Sequence, residues 1–286
     1  MRIASYEHRG RRSYGVINAD QSTVADAGAV LGGRHDDLFG VLDAGALDEL
    51  AEAARRAPVL SLAEVTLLPP IEAPRIFCIG VNYRSHRDEM GHDDVPYPTV
   101  FVRFASSLVG SGTPIIRPRV SEHLDFEGEL AVVIGASGRA IGGERALDHV
   151  AGYACFQDGS VRDFQRHTSQ FTAGKNFDAS GAFGPWIVTS DEVGDPAALA
   201  LTTRVNGAVM QEATTDLLLN DVPALIEYLS TFTELHPGDV IATGTPGGVG
   251  AARTPPLWLQ AGDVVEVDIR GVGVLRNEVV DEGDIA

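Results

Sequence analysis

The chain has 286 residues, 44% of them hydrophobic and 22% charged, and its 40 acidic against 22 basic side chains give a formal charge of -18 at pH 7. This composition suits a globular protein with one large core or two modest ones, and the excess of acid repels phosphate backbones and anionic lipid, so neither nucleic acid nor a membrane is expected as partner. Two cysteines, Cys78 and Cys155, are too few for a disulfide scaffold, and neither an apolar leader nor a long apolar run is present, so a cytoplasmic protein is expected.

In chain order, "MRIASYEHRGRRSYGVI" alternates apolar and polar residues on either side of a Gly and Arg turn, the pattern of a hairpin. "DAGALDELAEAARRAP" predicts a helix with Asp43 as N-cap, Leu47, Leu50, Ala51 and Ala54 on one face and Pro58 as its stop. Pro69, Pro70 and Pro74 in "LLPPIEAP" form a stiff connection. They divide a small N-terminal α/β domain, 1–70, from a larger one, 71–286.

Beyond the prolines come short β segments punctuated by glycine: "RIFCIGVNY", "TVFVRF", "ELAVVIG", "GPWIVTS", "LTTRVNG", "DVIATG" and "VVEVDIRGVGVLRNEVV". The clearest helix is "NDVPALIEYLSTFTEL", with Asp221 as N-cap, Pro223 in the first turn and Val222, Leu225, Ile226 and Leu229 as its buried stripe. Strands without regular helix alternation indicate a β-rich α+β fold with a mixed sheet.

Four stretches could carry chemistry. In "HLDFEGELAVVIG" the period of a strand puts Asp125, Glu127 and Glu129 on one face beside an apolar run. Such acids either hold a hard divalent cation or decorate a solvated edge strand. "CFQDGSVRDFQRHTSQFTAGKNFD" adds Asp158, Arg162, Asp163, Gln165 and Lys175, which fit either a site or a salt-bridged loop. In "GVNYRSHRDEMG", His86 and Glu89 stand i, i+3, so a helical turn would let the acid orient the imidazole as a general base, unless they are a surface pair. The glycines of "GDVIATGTPGGVG" lack the Gly-Lys-Ser/Thr and dinucleotide patterns, and are read as letting backbone amides and the Thr243 or Thr245 hydroxyl approach a small ligand.

Taken in order, "CIGVNYRSHRDEMG", "LDFEGELAVVIG", "QDGSVRDFQ…GKNFD" and "RVNGAVMQEATTDLLLNDVPALIEYLSTFTELHPGDVIATGTPGGVG" resemble the fumarylacetoacetate hydrolase superfamily, from about residue 71 to the C-terminus. The resemblance implies a mixed β-roll and a homodimer. It further implies that Glu127, Glu129 and Asp158 hold Mg²⁺ or Mn²⁺, with Ca²⁺ as a possible substitute. His86 and Glu89 match a pair on a lid, placed here over residues 84 to 97, and Gln165, Lys175 and Thr245 match positions that contact the substrate or an oxyanion. Tyr83, Arg103 and Arg162 are also expected to bind the substrate. Gln157 and Gly159 stand where Asn and Val are commoner, and Arg103 stands where Lys is usual, which leaves the exact substrate in question.

The expected activity is hydrolysis of a carbon-carbon bond in a 2,4-diketo acid of the acylpyruvate type. His86 with Glu89 would activate water, Arg103 and Lys175 would supplement the metal's charge, and Gln165 with Lys175 would hold the oxyanion. The alternative is decarboxylation of oxaloacetate or isomerisation of a 2-oxo diacid on the same metal site. A non-catalytic binder of small metal-chelated anions is the third possibility.

Overall fold

The computed structural model describes residues 1–91, 93 and 96–284. Part of the expected lid, His92, Asp94 and Val95, lies outside the described residues.

The fold is organised around the strand Gly128–Ile134, every residue of which is buried. It lies between two antiparallel neighbours, Val150–Gln157 and Val240–Ala242. It is therefore covered on both edges and both faces, and a strand in that position is a continuous apolar run, as "LAVVI" is. Leu130, Val132 and Ile134 enter one core, and Ala131 and Val133 the other.

From this axis a twelve-stranded sheet spreads in both directions. One way it continues through Gly181–Thr189; the other way Ile76–Gly80 runs parallel to Val240–Ala242, and Thr99–Arg103 lies antiparallel beyond it. The N-terminal hairpin, Arg2–His8 with Arg11–Ile17, joins the same sheet where Arg2 and Ile3 pair with Val188 and Ile187.

A second, five-stranded sheet includes the hairpin Val264–Ile269 and Gly273–Asp281. It covers the core of Leu130, Val132 and Ile134, and the Trp186 indole N–H donates to the Val272 carbonyl at 2.8 Å across the gap. The mixture of parallel and antiparallel pairing with few helices agrees with the β-rich α+β fold read from the sequence.

The helix Val222–Phe232 forms as predicted: the Asp221 carboxylate accepts the Ala224 amide at 2.9 Å, and Val222, Leu225, Ile226 and Leu229 are buried. The N-terminal helical region differs. Two helices form, Leu38–Asp43 and Leu47–Ala54, so Asp43 ends the first instead of capping the second. The Gly45 that follows Ala44 has φ +62, and this left-handed turn redirects the chain between them. Among the described residues no helix is long and apolar enough to cross a membrane.

Candidate metal centre and catalytic cavity

The acidic stretch does not run straight into the central strand. Leu124–Asp125 pairs with Ser160–Val161, and the strand Gly128–Ile134 begins only after a break at Phe126 and Glu127. At the break the Asp158 amide donates to the Glu127 carbonyl at 2.9 Å, and the Glu127 amide donates to Gln157 Oε1 at 2.8 Å. The acidic turn and the end of Val150–Gln157 are thus locked together. Carboxylate oxygens of Glu127, Glu129 and Asp158 lie within 4.8 Å of one another, and all three residues are buried. A solvated edge strand is excluded. Asp125, although on the same sequence period, turns away: its oxygens accept the Gly250 and Ala251 amides and Arg162 Nε at 2.8, 3.0 and 2.8 Å.

Three buried cations face these acids. Arg162 reaches Glu127 Oε1 at 2.6 Å in addition to Asp125, and its NH1 donates to Gln165 Oε1 at 3.0 Å. Lys175 donates to Glu127 Oε2 and to Asp158 Oδ2, each at 2.5 Å. Arg103 donates to Asp158 Oδ1 at 2.7 Å, and its remaining N–H groups are taken by the Gly159 and Ser107 carbonyls and the Ser107 and Ser180 hydroxyls. The guanidinium is fully satisfied beneath Asp158, a geometry that a lysine ammonium could not reproduce.

The charges do not balance. Asp125, Glu127, Glu129 and Asp158 outnumber Arg103, Arg162 and Lys175 by one, and Glu129 has no cationic partner among the described residues. Its Oε2 accepts the Gly244 amide at 2.8 Å. Burial, and then the Asp158 and Glu127 carboxylates beside it, drive the Glu129 carboxyl well above its usual range, against the pull of Lys175 and the Gly244 amide. Burial acts the same way on Glu127, but Arg162, Lys175 and His86 outweigh it and hold that carboxyl below its usual range. For Lys175, burial opposes the charge while Asp158 and Glu127 favour it, and the net shift is upward, so it remains an ammonium. A hard divalent cation fits this site: three convergent carboxylates, one of them unbalanced, are an oxygen-donor set of the kind Mg²⁺ and Mn²⁺ prefer.

The acids floor a cavity of about 350 Å³, which His86, Gln165, Lys175 and Thr245 also line. His86 comes from the helix Arg84–Met90, which ends at Gly91 with φ +68. His86 is 5% exposed, and its Nδ1 lies 2.8 Å from Glu89 Oε1. The carboxylate can only accept, so Nδ1 carries a proton, and in the neutral imidazole the free lone pair is on Nε2. The helix is pinned over the cavity by the glycine-rich loop: Ser85 Oγ accepts the Gly247 amide at 3.0 Å, and Glu89 Oε2 accepts the Gly248 amide at 2.7 Å.

This changes the role of that loop. Its amides were expected to meet a ligand, yet Gly244 serves Glu129, Gly247 and Gly248 serve the roof helix, and Gly250 serves Asp125. Thr243 is likewise engaged, donating to the Leu130 carbonyl at 3.0 Å. Thr245 does line the cavity, donating to the Gly128 carbonyl at 3.0 Å and accepting from Gln211 Nε2 at 2.7 Å.

Three of the expected site residues do not line the cavity. Glu89 stands behind His86, and Arg103 stands beneath Asp158. Tyr83 is 1% exposed, and burial, with Glu129 and Asp216 nearby, raises its phenol above the ordinary range. Its side chain is buried away from the cavity lining, and its backbone bridges to Leu218. Conversely, Arg166 and the apolar walls Ile79, Met90, Phe101 and Phe171 line the cavity, and the sequence pattern assigns none of them a role in the site. The buried Gln211 was also missed, although it accepts the Gly128 amide at 3.0 Å while holding Thr245. Nothing in the local pattern "VMQEAT" marks that glutamine, whereas Arg166 follows Gln165 directly in a stretch already rich in site residues.

Comparison with known proteins accords with this geometry. The mitochondrial oxaloacetate tautomerase FAHD2A of Bos taurus is 44% identical over 230 residues, covering 79% of this chain and 73% of that protein. A fumarylacetoacetate hydrolase from psychrophilic Exiguobacterium antarcticum superposes with a TM-score of 0.86 at 39% identity, over 99% of this chain and 100% of that one. Maleylpyruvate hydrolase from Sphingobium sp. SYK-6, solved with manganese (II) ion and pyruvate, gives a TM-score of 0.82 at 31% identity, over 98% and 99% of the two chains. Residues 75–280 match the model of the fumarylacetoacetate hydrolase C-terminal domain, and with the buried carboxylate triad inside that span the chain belongs to the fumarylacetoacetate hydrolase family of enzymes.

Proposed function

We propose that this enzyme is a divalent-metal-dependent tautomerase of 2-oxo diacids of the oxaloacetate type. The observation that carries the proposal is a single oriented base, His86 backed by Glu89, opening on a buried floor of Glu127, Glu129 and Asp158 in which Glu129 has no cationic partner among the described residues. The name of the bovine relative supports tautomerisation over the carbon-carbon hydrolysis that the sequence first suggested.

A bound Mg²⁺ or Mn²⁺ ion, held by the three carboxylates, would polarise the 2-oxo group and so acidify the adjacent C3–H bonds. Glu89 holds the Nδ1–H of His86, so that Nε2 takes the C3 proton. Lys175 and Arg162 offset the negative charge that then spreads over the 2-oxygen and the neighbouring carboxylate. Returning the proton to the 2-oxygen gives the enol and leaves His86 as it began. No water is consumed and no carbon-carbon bond breaks. Ile79, Phe101 and Phe171 shield the exchange from bulk water.

A second activity, hydrolysis of a 2,4-diketo acid, draws support from the same His86–Glu89 pair, which could deprotonate water, and from the likeness to maleylpyruvate hydrolase. Following the enol absorbance of oxaloacetate with added Mn²⁺ or with chelator, alongside pyruvate release from oxaloacetate and from acetylpyruvate, separates the activities. Metal-dependent equilibration without pyruvate is the expected result. Pyruvate release from acetylpyruvate with no tautomerisation would replace the tautomerase with the hydrolase, and pyruvate from oxaloacetate would replace it with the decarboxylase.

A further inference from the structure

Every deep cation of the cavity is already engaged. Arg162 is shared among Asp125, Glu127 and Gln165; Lys175 binds Glu127 and Asp158. Arg166 differs. It lines the same cavity, it is exposed, and among the described residues its side chain has no ion-pair or hydrogen-bond partner.

Its position follows from the turn that carries it. The Arg166 amide donates to the Arg162 carbonyl at 3.2 Å, so the two arginines stand one helical turn apart on one face. Arg162 sits at the floor beside the metal-ligating Glu127, and Arg166 at the mouth. One turn advances about 5.4 Å. The three carbon-carbon bonds separating the two carboxyl carbons of a four-carbon diacid span about 4 Å, so a substrate anchored at the floor by its C1 carboxylate would present its C4 carboxylate near the mouth.

Between floor and mouth the walls are apolar, formed by Ile79, Met90, Phe101 and Phe171. A second carboxylate entering this space needs a cation, because burying it unpaired is costly. Arg166 supplies one, and its planar fork suits a carboxylate.

We infer that Arg166 is the residue that selects a dicarboxylate, binding the carboxylate remote from the 2-oxo group. This rests on the tautomerase proposal for the identity of the reaction, and on the cavity alone for the preference between diacid and monoacid. Arg166 makes no contact with the floor acids, so it sets affinity and leaves the proton transfer to His86.

The test compares oxaloacetate with 2-oxobutanoate, which has the same carbon chain and lacks the second carboxylate. Deuterium exchange at C3 is followed by NMR for the Mn²⁺-loaded wild type, Arg166→Ala and Arg166→Lys. The expected result is a kcat/KM preference for the diacid that falls about tenfold in Arg166→Ala, through KM, and is partly restored in Arg166→Lys. A purely structural role would lower both substrates together. An unchanged preference in Arg166→Ala overturns the inference.

Calorimetric titration of the Mn²⁺-loaded proteins with malate and with 2-hydroxybutanoate reads the same selectivity without turnover. If the wild type exchanges neither 2-oxo acid, the tautomerase proposal falls. The inference then stands if malate binding alone weakens in Arg166→Ala, and falls if malate and 2-hydroxybutanoate change equally or not at all.

Discussion

The floor of the cavity and its roof are held in different ways. Glu127, Glu129 and Asp158 sit on or beside central strands, at most 4% exposed, and Glu127 and Asp158 are each gripped by two cationic side chains. The roof is a helix of seven residues, Arg84–Met90, of which only His86 is buried. Two bonds from the Gly247 and Gly248 amides pin it down. The charges proposed to hold a metal and a substrate are thus fixed in place, whereas the proposed base sits on an element with few contacts, the kind that opens at low free-energy cost. One glycine-rich loop serves both regions: its Gly244 amide goes to Glu129 at the floor, and its Gly247 and Gly248 amides go to the roof helix.

The comparison is broken most severely at the floor. Glu127→Gln leaves Arg162 and Lys175 facing a neutral amide inside the protein. Disrupting a buried pair in this way costs about 3 kcal/mol or more. The thermal midpoint should drop, calorimetry should find divalent-ion binding weakened more than ~100-fold, and turnover should fall by about 10³ or more. Normal Mn²⁺ affinity in this variant would show that the floor is not the metal centre.

At the roof, His86→Ala removes the proposed base and touches no floor carboxylate. Turnover should fall by about 10²–10⁴ while Mn²⁺ binding, measured by calorimetry, stays within a few-fold of wild type. Unchanged proton exchange at C3 would remove His86 from the mechanism. Equal loss of metal binding would show that roof and floor are one unit.

A smaller effect separates the floor acids from each other. The Glu129 carboxyl titrates above its unfolded value, so the folded protein binds its proton more tightly than the unfolded chain does, and stability declines as pH rises from about 4.3 through the raised value. Glu127 acts oppositely: its lowered pKa contributes stability above the unfolded value, lost as pH falls through the acid range. In chelator, the thermal midpoint of wild type should therefore decline on the alkaline side. Glu129→Gln should flatten that decline, and Mn²⁺ should flatten it in wild type alone. Parallel pH profiles for the two proteins in chelator would refute the charge imbalance at Glu129.

Much of the floor was legible because strand periodicity and side-chain chemistry coincide there: the alternating acids, Asp158 after a strand, and Arg162, Gln165 and Lys175 close behind it. The pattern failed at Asp125, since the break at Phe126 and Glu127 changes direction after it, and a change of direction leaves no mark on a period of two. Arg103 shows a second limit. Its charge was legible, but whether a cation faces substrate or lies beneath a ligand depends on the pairing of Thr99–Arg103 with Ile76–Gly80, a long-range contact. The spacing of His86 and Glu89 was sufficient because their interaction is local to one helical turn. In the glycine-rich loop the sequence revealed the freedom of the backbone but not what its amides would bind.

The mildest perturbation tests the roof's hold. Ser85 lines no part of the cavity; its hydroxyl accepts the Gly247 amide, one of the two bonds pinning the helix. Ser85→Ala removes that acceptor while keeping a good helix former, and a net hydrogen bond of this kind is worth about 1 kcal/mol. Since the Gly247 amide is exposed enough to find water, the expected outcome is a modest shift toward the undocked helix. Hydrogen exchange over residues 84–91 should speed up several-fold, and kcat/KM should drop about two- to fivefold, with Mn²⁺ affinity and the thermal midpoint almost unchanged. If exchange over that helix is unaltered while metal affinity falls, the roof is anchored through the floor rather than through the loop, and the separation between fixed charges and a movable base does not hold.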